Sequence, residues 1–312
     1  MIRILLIGKN GQLGWELNRT LATLGEVIAY DHPEIDLSKQ SNVREVIRRV
    51  SPELIINAAA YTDVDKAESE PELAMAINTL APGVIAEEAK RLEATFVHYS
   101  TDYVFDGKKG SPYVEKDMPN PLNVYGKTKL EGEQAVEAVG GSYFIFRTSW
   151  VYSLRQQSGF VSKVLRWSRQ QETLRMVSDQ IANPTWCRML AEVTAQLLAR
   201  GIEQICEHSG LYHLAGGGFA SRYDWAKFIL EIDPMKSEQK VKEIITALTS
   251  DFPTPAQRPK NTALNCQKFI TAFGLYIPPW EASLRLAMNM PELVTNNMKY
   301  PPRGANEFHP QD

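Results

Sequence analysis

The chain has 312 residues, of which 44% are hydrophobic and 23% charged, and its formal net charge is −3 at pH 7. This composition is typical of a globular protein with one large domain or two unequal ones. The small acidic excess argues against nucleic acid as a partner, because there is no surplus of cations to neutralise a phosphate backbone.

No apolar run approaches the ~20 residues that a membrane span needs, so we expect no membrane partner. The chain enters a predicted strand at Ile2 without a charged leader, which favours a cytoplasmic location. The three cysteines are odd in number and far apart, a pattern that is not typical of a disulfide framework or a zinc cluster. The five histidines show no metal-ligand spacing, and we predict no resident metal.

The first fourteen residues predict a dinucleotide cradle. An apolar run from Ile2 to Ile7 predicts a buried parallel strand, which ends at a glycine turn and is followed by leucines at helical spacing. In such a unit Gly8 permits the tight turn, Gly11 lets backbone amides approach a pyrophosphate, and Gly14 lets the helix pack on the strand. A structural turn without a ligand is the alternative. The wide Gly-x-x-Gly-x-x-Gly spacing resembles that of the short-chain dehydrogenase/reductase superfamily.

A second strand is predicted from Glu26 to Tyr30 and ends at Asp31. A carboxylate at this point contacts the adenosine ribose in dinucleotide folds, although it could also be an ordinary acidic turn residue. Lys9 could contact a 2′-phosphate, which Asp31 would repel, so the choice between NADPH and NADH stays open. By resemblance to the superfamily, Asp36 and Leu37 border the adenine ring.

The chain continues with a helix over 43–50 and a third strand over 54–56, which runs into the small residues that follow Asn57. Small residues at the carboxyl end of a strand leave room for a ligand or for tight helix packing. We interpret the charged run over 63–70 as a solvated face. A long apolar helix over 71–91 and a strand over 95–100 complete a strict βαβαβαβ alternation. This order predicts a doubly wound parallel α/β sheet of the Rossmann type.

Tyr125 and Lys129 lie four residues apart and therefore on one face of a predicted helix. A cation beside a phenol lowers the pKa of that phenol towards neutrality, as a general acid requires. The spacing alone is weak evidence, because Tyr223 and Lys227 share it. Only the first pair follows a strand end with a hydroxyl, Thr101, that could bind the same substrate oxygen, so we interpret Tyr223 as a packing residue.

Beyond Trp150 the regular alternation loosens. We therefore predict a dinucleotide-binding domain over 1–150 and a mainly substrate-binding region over 151–290, some segments of which could return to the sheet. The polar stretch over 291–312 predicts a loosely ordered tail. Arg147, at the end of a predicted strand, could meet a nucleotide phosphate or form an ordinary ion pair.

Five motifs in order resemble the dTDP-4-dehydrorhamnose reductase family of extended short-chain reductases. The resemblance covers Met1 to about Met290, and the motifs are at 8–14, 57–68, 100–107, 121–129 and 147–152. It implies that NADPH or NADH reduces a nucleotide-linked 4-keto-6-deoxy sugar, dTDP-4-dehydro-L-rhamnose, to dTDP-L-rhamnose.

The resemblance also implies roles for single residues. Tyr125 would donate the proton, Lys129 would bind the cofactor ribose and the phenolate, and Thr101 would orient the ketone oxygen. Asp102 would touch the sugar and Trp150 would form a wall of its pocket, although a capping role and core packing are the alternatives. The cofactor-binding residues would be Gly8, Asn10, Gly11, Gln12, Leu13, Gly14, Asp31, Asp36, Leu37, Ala59, Ala60, Tyr61, Thr62, Tyr125 and Lys129.

Two other functions compete with this one. A nucleotide-sugar dehydratase or epimerase is possible, but dehydratases carry a glutamate where this chain has Tyr103, and elimination needs that extra acid. A non-catalytic regulatory subunit of the same fold could keep the glycine turn without needing the catalytic tyrosine. Some family members dimerise around Mg²⁺ held by carboxylates. Here Glu16 has an arginine, Arg188, where a second carboxylate is wanted, so we predict that any homodimer lacks this bridge.

Overall fold

The computed structural model describes residues 1–155 and 159–289; the predicted tail at 291–312 lies outside them. Most of the apolar runs noted above become strands. These strands are β1 (Ile2–Ile7), β2 (Gly25–Tyr30), β3 (Leu54–Asn57), β4 (Thr95–Thr101), β5 (Tyr143–Thr148), β6 (Val151–Tyr152), β7 (Thr173–Val177), β8 (Ile181–Ala182), β9 (Thr185–Trp186), β10 (Gly210–His213), β11 (Ala220–Ser221) and β12 (Glu243–Ala247).

Six strands form the central sheet in the order β2-β1-β3-β4-β5-β10, and every neighbouring pair is parallel. The prediction of a doubly wound parallel α/β sheet is confirmed. Because the chain moves from β1 to β2 on one side and then to β3 on the other, a crevice opens between the carboxyl ends of β1 and β3. Ligands of open α/β sheets bind at such a switch point.

Helices cover the sheet and build the second half of the chain. They are α1 (Gln12–Thr20), α2 (Gln40–Val50), α3 (Val64–Ala67), α4 (Pro71–Met75), α5 (Ala81–Arg91), α6 (Val124–Val139), α7 (Phe160–Ser168), α8 (Cys187–Leu198), α9 (Ile202–Ile205), α10 (Arg222–Glu231), α11 (Gln267–Phe273) and α12 (Trp280–Met288). None of the helices in the described ranges is long and apolar enough to cross a membrane.

Alternation along the strands divides the core into two layers. Ile4 and Leu6 of β1 face the layer that contains α1, α8 and α11, whereas Leu5 and Ile7 face the layer that contains α2, α5 and α6. Successive side chains of a strand point to opposite faces of a sheet, so a strand buried on both faces is apolar at nearly every position. This is why the uninterrupted apolar run of β1 predicted a parallel strand.

The chain does not divide cleanly at residue 150. A separate core forms around Trp225 from α7, α10, α12 and β7. However, α8, β10 and α11 pack into the core of the central sheet, where Leu190 of α8 is fully buried. The second half therefore supplies one strand and two helices to the first, in addition to its own smaller lobe.

Two local predictions need correction. The predicted helix over 71–91 is present, but a π-helical turn at Ala76–Leu80 interrupts it between α4 and α5. The charged run over 63–70 is not simply a solvated face. Asp65 accepts two hydrogen bonds of 2.7 Å from Arg258, and a Glu68 carboxylate oxygen accepts the Val124 N–H at 2.9 Å. The partners of these carboxylates, a cation and a backbone N–H, are distant in the sequence, so composition alone could not reveal them.

Candidate active site

In the glycine turn the backbones of Gly8, Gly14 and Ala59 lie so close together that no Cβ fits between them. Gly8 has a φ of +94° and donates its N–H to the Tyr30 carbonyl at 2.8 Å. A Cβ added to Gly14 would lie 1.9 Å from the Gly8 carbonyl oxygen, and one added to Gly8 would lie 2.8 Å from the Ala59 nitrogen. Gly11 caps the N-terminus of α1. The turn therefore leaves the start of α1 open towards the crevice between β1 and β3.

Two carboxylates lie beside this turn. Asp31 follows β2, and its oxygens accept the N–H groups of Asn10 and His32, both at 2.9 Å. Glu34 pairs with the Lys9 ammonium at 2.5 Å. Asp31 thus braces the turn that precedes α1, and the charge of Lys9 is already balanced.

Asp36 and Leu37 follow in the same loop. The Asp36 carboxylate accepts both the Ser38 N–H and the Ser38 hydroxyl and pairs with Lys39. These donors lower the pKa of Asp36 to about 2, so the group is ionised at neutral pH. The Leu37 side chain is buried in the core, which leaves its backbone as the part best able to meet a ligand.

The segment after β3 is held by an amide from the π-helical turn. Asn78 accepts the Tyr61 N–H at 2.9 Å and donates to the Tyr61 carbonyl at 3.1 Å, while the Tyr61 hydroxyl donates to Glu70 at 2.7 Å. The same Asn78 amide donates to Thr128 of α6 at 3.3 Å. This link fixes Ala59–Thr62, one wall of the crevice, against the helix that carries Tyr125.

The structure brings Tyr125 and Thr101 together. Asn123 caps α6 by accepting the Gly126 N–H at 2.8 Å, which places Tyr125 in the first turn of the helix. The Tyr125 hydroxyl shares a hydrogen bond with the Thr101 hydroxyl at the carboxyl end of β4. The edge of one ring of the Tyr103–Tyr125 pair meets the face of the other, at 5.8 Å between centroids.

The expected effect of Lys129 on Tyr125 is not found. The Lys129 amino group donates to the Tyr99 carbonyl at 2.6 Å and lies 3.3 Å from Nε2 of His98. Burial raises the pKa of Tyr125, and the bond to Thr101 lowers it by less. The prediction of a Tyr125 pKa depressed by Lys129 is therefore wrong for this arrangement, because the lysine is directed at β4. Burial also lowers the pKa of Lys129 itself, to about 8.

Asp102 lies behind the site, not in it. The residue is 2% exposed, and its carboxylate accepts hydrogen bonds from the hydroxyls of Thr101, Ser149 and Thr262. Burial raises the pKa of Asp102 to about 6 despite these three donors. In this structure the side chain positions Thr101 and presents no free oxygen to the crevice, which corrects the expectation that it touches the sugar.

Trp150 lies at a strained turn after β5, with a φ of +40°. Its indole stacks on Trp225 at 5.5 Å between centroids, and the Arg222 guanidinium carbon lies 3.5 Å from the ring centroid. Within the described residues Arg222 forms no ion pair, and burial lowers the pKa of this guanidinium to about 10. A desolvated cation without an ion-pair partner in contact is an energetic cost unless a ligand supplies the opposite charge.

Sequence reasoning missed several partners around the site. These are Ser149, which follows β5, and Arg222, Arg258 and Thr262 from the second half of the chain. Ser149 lies in the motif at 147–152 and Arg258 in the Arg-Pro pair at 258–259, so these two lie in patterns that could have revealed them. Arg147, left open between phosphate and ion pair, forms a buried ion pair with Glu133 at 2.6 Å.

Glu16, the carboxylate considered for a bridging Mg²⁺, lies near a cation of the protein. Arg188 donates to Glu192 at 2.6 Å and lies 3.8 Å from Glu16. In the parts of the chain that the structure describes, no group of three or more His, Cys, Asp or Glu residues is arranged to hold a metal ion. These residues do not fit the bridging ion of some relatives.

Comparison with known proteins identifies the same family over almost the whole chain. The family model described as the RmlD substrate binding domain matches residues 2–292. The dTDP-4-dehydrorhamnose reductase of Escherichia coli K12 is 41% identical over 299 residues, which are 94% of this chain and 99% of that protein.

Solved structures agree with the sequence relatives. A dTDP-4-dehydrorhamnose reductase from Clostridium acetobutylicum superposes with a TM-score of 0.85 at 34% identity, covering 93% of this chain and 99% of that one. The enzyme of the same name from Bacillus anthracis, crystallised in complex with NADP, gives a TM-score of 0.82 at 33% identity. That comparison covers 91% of this chain and 98% of the Bacillus chain.

Proposed function

The chain belongs to the dTDP-4-dehydrorhamnose reductase family, and we propose that its site reduces dTDP-4-dehydro-L-rhamnose to dTDP-L-rhamnose with NADPH or NADH. The observation that carries this proposal is the hydrogen bond between the Tyr125 and Thr101 hydroxyls beside the crevice at β1 and β3. An acid and a second hydroxyl converge there at the point where parallel sheets bind their ligands.

The residues around the crevice fit a dinucleotide. At Gly8 and Gly14 a Cβ would collide with neighbouring backbone atoms, so the turn needs glycine at both positions. The N-terminus of α1 beside it presents free N–H groups that can bind a pyrophosphate. Asn10, Gln12 and Leu13 would surround it, with Asp31 at the ribose and Asp36 and Leu37 at the adenine. Ala59, Ala60, Tyr61, Thr62 and Lys129 would line the nicotinamide end.

The chemistry needs one hydride and one proton. The cofactor, when bound, supplies the hydride to C4 of the sugar. Tyr125 donates its hydroxyl proton to the carbonyl oxygen, where negative charge develops. The Thr101 hydroxyl, which donates to Asp102 in this structure, would turn to donate a hydrogen bond to the same oxygen. Tyr103 provides no carboxylate for elimination, which favours reduction over dehydration.

We also propose a residue for the diphosphate of the substrate. Arg222 is half-buried, lies over Trp150 and forms no ion pair within the described residues, although Asp102 attracts it from a longer distance. A guanidinium matches the geometry of a phosphate by donating two parallel hydrogen bonds. The sugar would then lie between Tyr125 and Trp150, with its diphosphate on Arg222.

Three further expectations remain proposals. We propose that residues 1–150 mainly bind the cofactor and that the lobe around Trp225 binds the substrate. We propose that a homodimer, if formed, is not bridged by Mg²⁺, since the Arg188 cation lies between Glu16 and Glu192.

We propose that the reaction takes place in the cytoplasm. The cysteines Cys187, Cys206 and Cys266 are free thiols, as expected in a reducing compartment.

The decisive experiment is an oxidation assay of NADPH and NADH with purified protein and dTDP-4-dehydro-L-rhamnose. We expect turnover in wild type and a loss of about a thousandfold in kcat for Tyr125→Phe, which removes the proton donor. Tyr223→Phe is the matched control, because Tyr223 and Lys227 share the spacing of the catalytic pair but lie on α10. Full activity of Tyr125→Phe would refute the mechanism, and no turnover by wild type would refute the function.

A further inference from the structure

A line of buried polar side chains runs behind Lys129. Asn57 at the end of β3, His98 in β4 and Lys129 in α6 are each 1% exposed. Nδ2 of Asn57 lies 3.3 Å from Nδ1 of His98, and Nε2 of His98 lies 3.3 Å from Nζ of Lys129. Nothing in the reaction described above uses Asn57 or His98.

Hydrogen-bond donors and acceptors along this line can be assigned from one end. The Ala59 backbone N–H can only donate, and its partner at 3.1 Å is Asn57, so the amide oxygen of Asn57 must face it. The NH₂ group of Asn57 then faces Nδ1 of His98 as a donor. Nδ1 must therefore be the bare acceptor nitrogen of the ring, and a neutral imidazole carries its proton on Nε2.

The proton on Nε2 points at Lys129. An ammonium group has three donors and no acceptor, so it cannot accept this proton, whereas a neutral amine has a lone pair that can. The amine still donates to the Tyr99 carbonyl at 2.6 Å. Every contact along the line is satisfied only when Lys129 is neutral.

We propose that His98 is a positioning residue that holds Lys129 as a neutral amine against β4, so that protonation of the lysine breaks this contact and releases it towards Tyr125. This inference rests on the proposed reductase function of the same site. A proton from solvent adds to the Nζ lone pair, and the resulting ammonium then faces the Nε2–H of His98, donor to donor. The ammonium turns away from the ring and towards Tyr125, which lies one turn before it on α6.

The charged groups around Lys129 are consistent with a side chain that has two positions, one against His98 and one towards Tyr125. Glu133, one turn along α6, favours the charged lysine, but its carboxylate is shared with Arg147 of β5 and the Ser100 hydroxyl of β4. The only groups of β4 that Lys129 contacts are the Tyr99 carbonyl and the His98 ring. Burial and the nearby lysine keep the pKa of His98 well below its ordinary value. The imidazole therefore stays neutral while Lys129 titrates. The position of Lys129 also accounts for its lack of effect on the Tyr125 pKa.

The direct test is the tautomer of His98 in the whole protein, read from ¹⁵N–¹H correlation spectra of labelled imidazoles. The chain has five histidines, and His98→Gln assigns the signal by its loss. If that variant does not fold, a chain with the other four replaced by glutamine assigns it instead. We expect the proton on Nε2 above pH 8. A proton on Nδ1, or a charged ring, would overturn the proposal without affecting the reductase assignment.

The second test is the pH profile of kcat/KM for the keto sugar. Reduction should decline as the pH rises through the pKa of Lys129, near 8, because the charged lysine supports Tyr125. In His98→Gln the amide oxygen can accept from the ammonium, so this decline should move up by about one pH unit. His213→Gln is the matched control, since His213 is equally buried but lies in β10 away from Lys129. An unmoved decline in His98→Gln, or an equal movement in the control, would contradict the proposal.

Discussion

The two sides of the crevice are built in different ways. The proposed cofactor side is made largely within the first 62 residues, where Gly8 and Gly14 let backbone meet backbone at the end of β1. The proposed substrate side is made around the end of β4 by side chains from far along the chain, among them Thr262 and Arg222. One side depends on steric exclusion of side chains, and the other on charge and hydroxyl groups held out of water. Substitutions should therefore fail differently on the two sides.

The largest effect is expected on the cofactor side. Gly14→Ala places a Cβ 1.9 Å from the Gly8 carbonyl oxygen, and neither backbone segment can yield. We expect a loss of about 3 kcal/mol in the free energy of unfolding and a loss of NADPH binding, measured by urea titration and calorimetry. In the control Gly83→Ala the new Cβ meets only the Ala135 side chain at 3.3 Å, and the change should stay within about 1 kcal/mol. If Gly14→Ala were stable and bound NADPH normally, steric exclusion of side chains would not explain how the proposed cofactor side is built.

A smaller and more selective effect is expected on the substrate side. Arg222→Gln removes the guanidinium proposed to bind the diphosphate, and we expect KM for the keto sugar to rise about tenfold to a hundredfold while NADPH affinity is unchanged. Arg285→Gln is the control, because Arg285 also lies over an aromatic ring, Phe228, but is exposed on α12. Steady-state kinetics separate KM from kcat. A normal KM in Arg222→Gln would remove this residue from the substrate site while leaving the function intact.

The smallest effect concerns stability and depends on pH. The folded pKa of Asp102, about 6, lies above its ordinary value, so the group favours the folded state most when protonated, and this contribution falls as pH rises towards 6. Thr262→Val removes a donor that stabilises the charged form. We expect a loss of about 1–3 kcal/mol at pH 7.5 and clearly less at pH 5, measured by urea unfolding.

Thr262→Ser keeps the hydroxyl and should keep the pH dependence of wild type, with only a small loss, equal at both pH values, from the missing methyl. Thr262→Val keeps the methyl, so an equal loss at pH 5 and pH 7.5 in that variant would show that the Thr262 hydroxyl does not act through the charge of Asp102. The interpretation that the proposed substrate side depends on buried charge and hydroxyl groups would then need revision.

The comparison also explains which parts of the site could be predicted. The order of strands and helices, the glycine turn and the Tyr125–Thr101 pair follow from local patterns, because each depends on spacing within one element or between neighbouring ones. The burial of Asp102, the ion pair between Asp65 and Arg258 and the π-helical turn do not. Each of these depends on partners that are distant in the sequence.

The sequence by itself determined the parallel sheet and the position of its crevice, since apolar runs, glycines and their alternation with helices leave few other arrangements. Only the tertiary structure decided the state of the charged groups. The pKa of a carboxyl, a phenol or an amine depends on burial and on neighbours within a few ångströms, and these neighbours come from anywhere in the chain. That is why the sequence predicts Lys129 as a candidate site residue but does not predict its contact with His98.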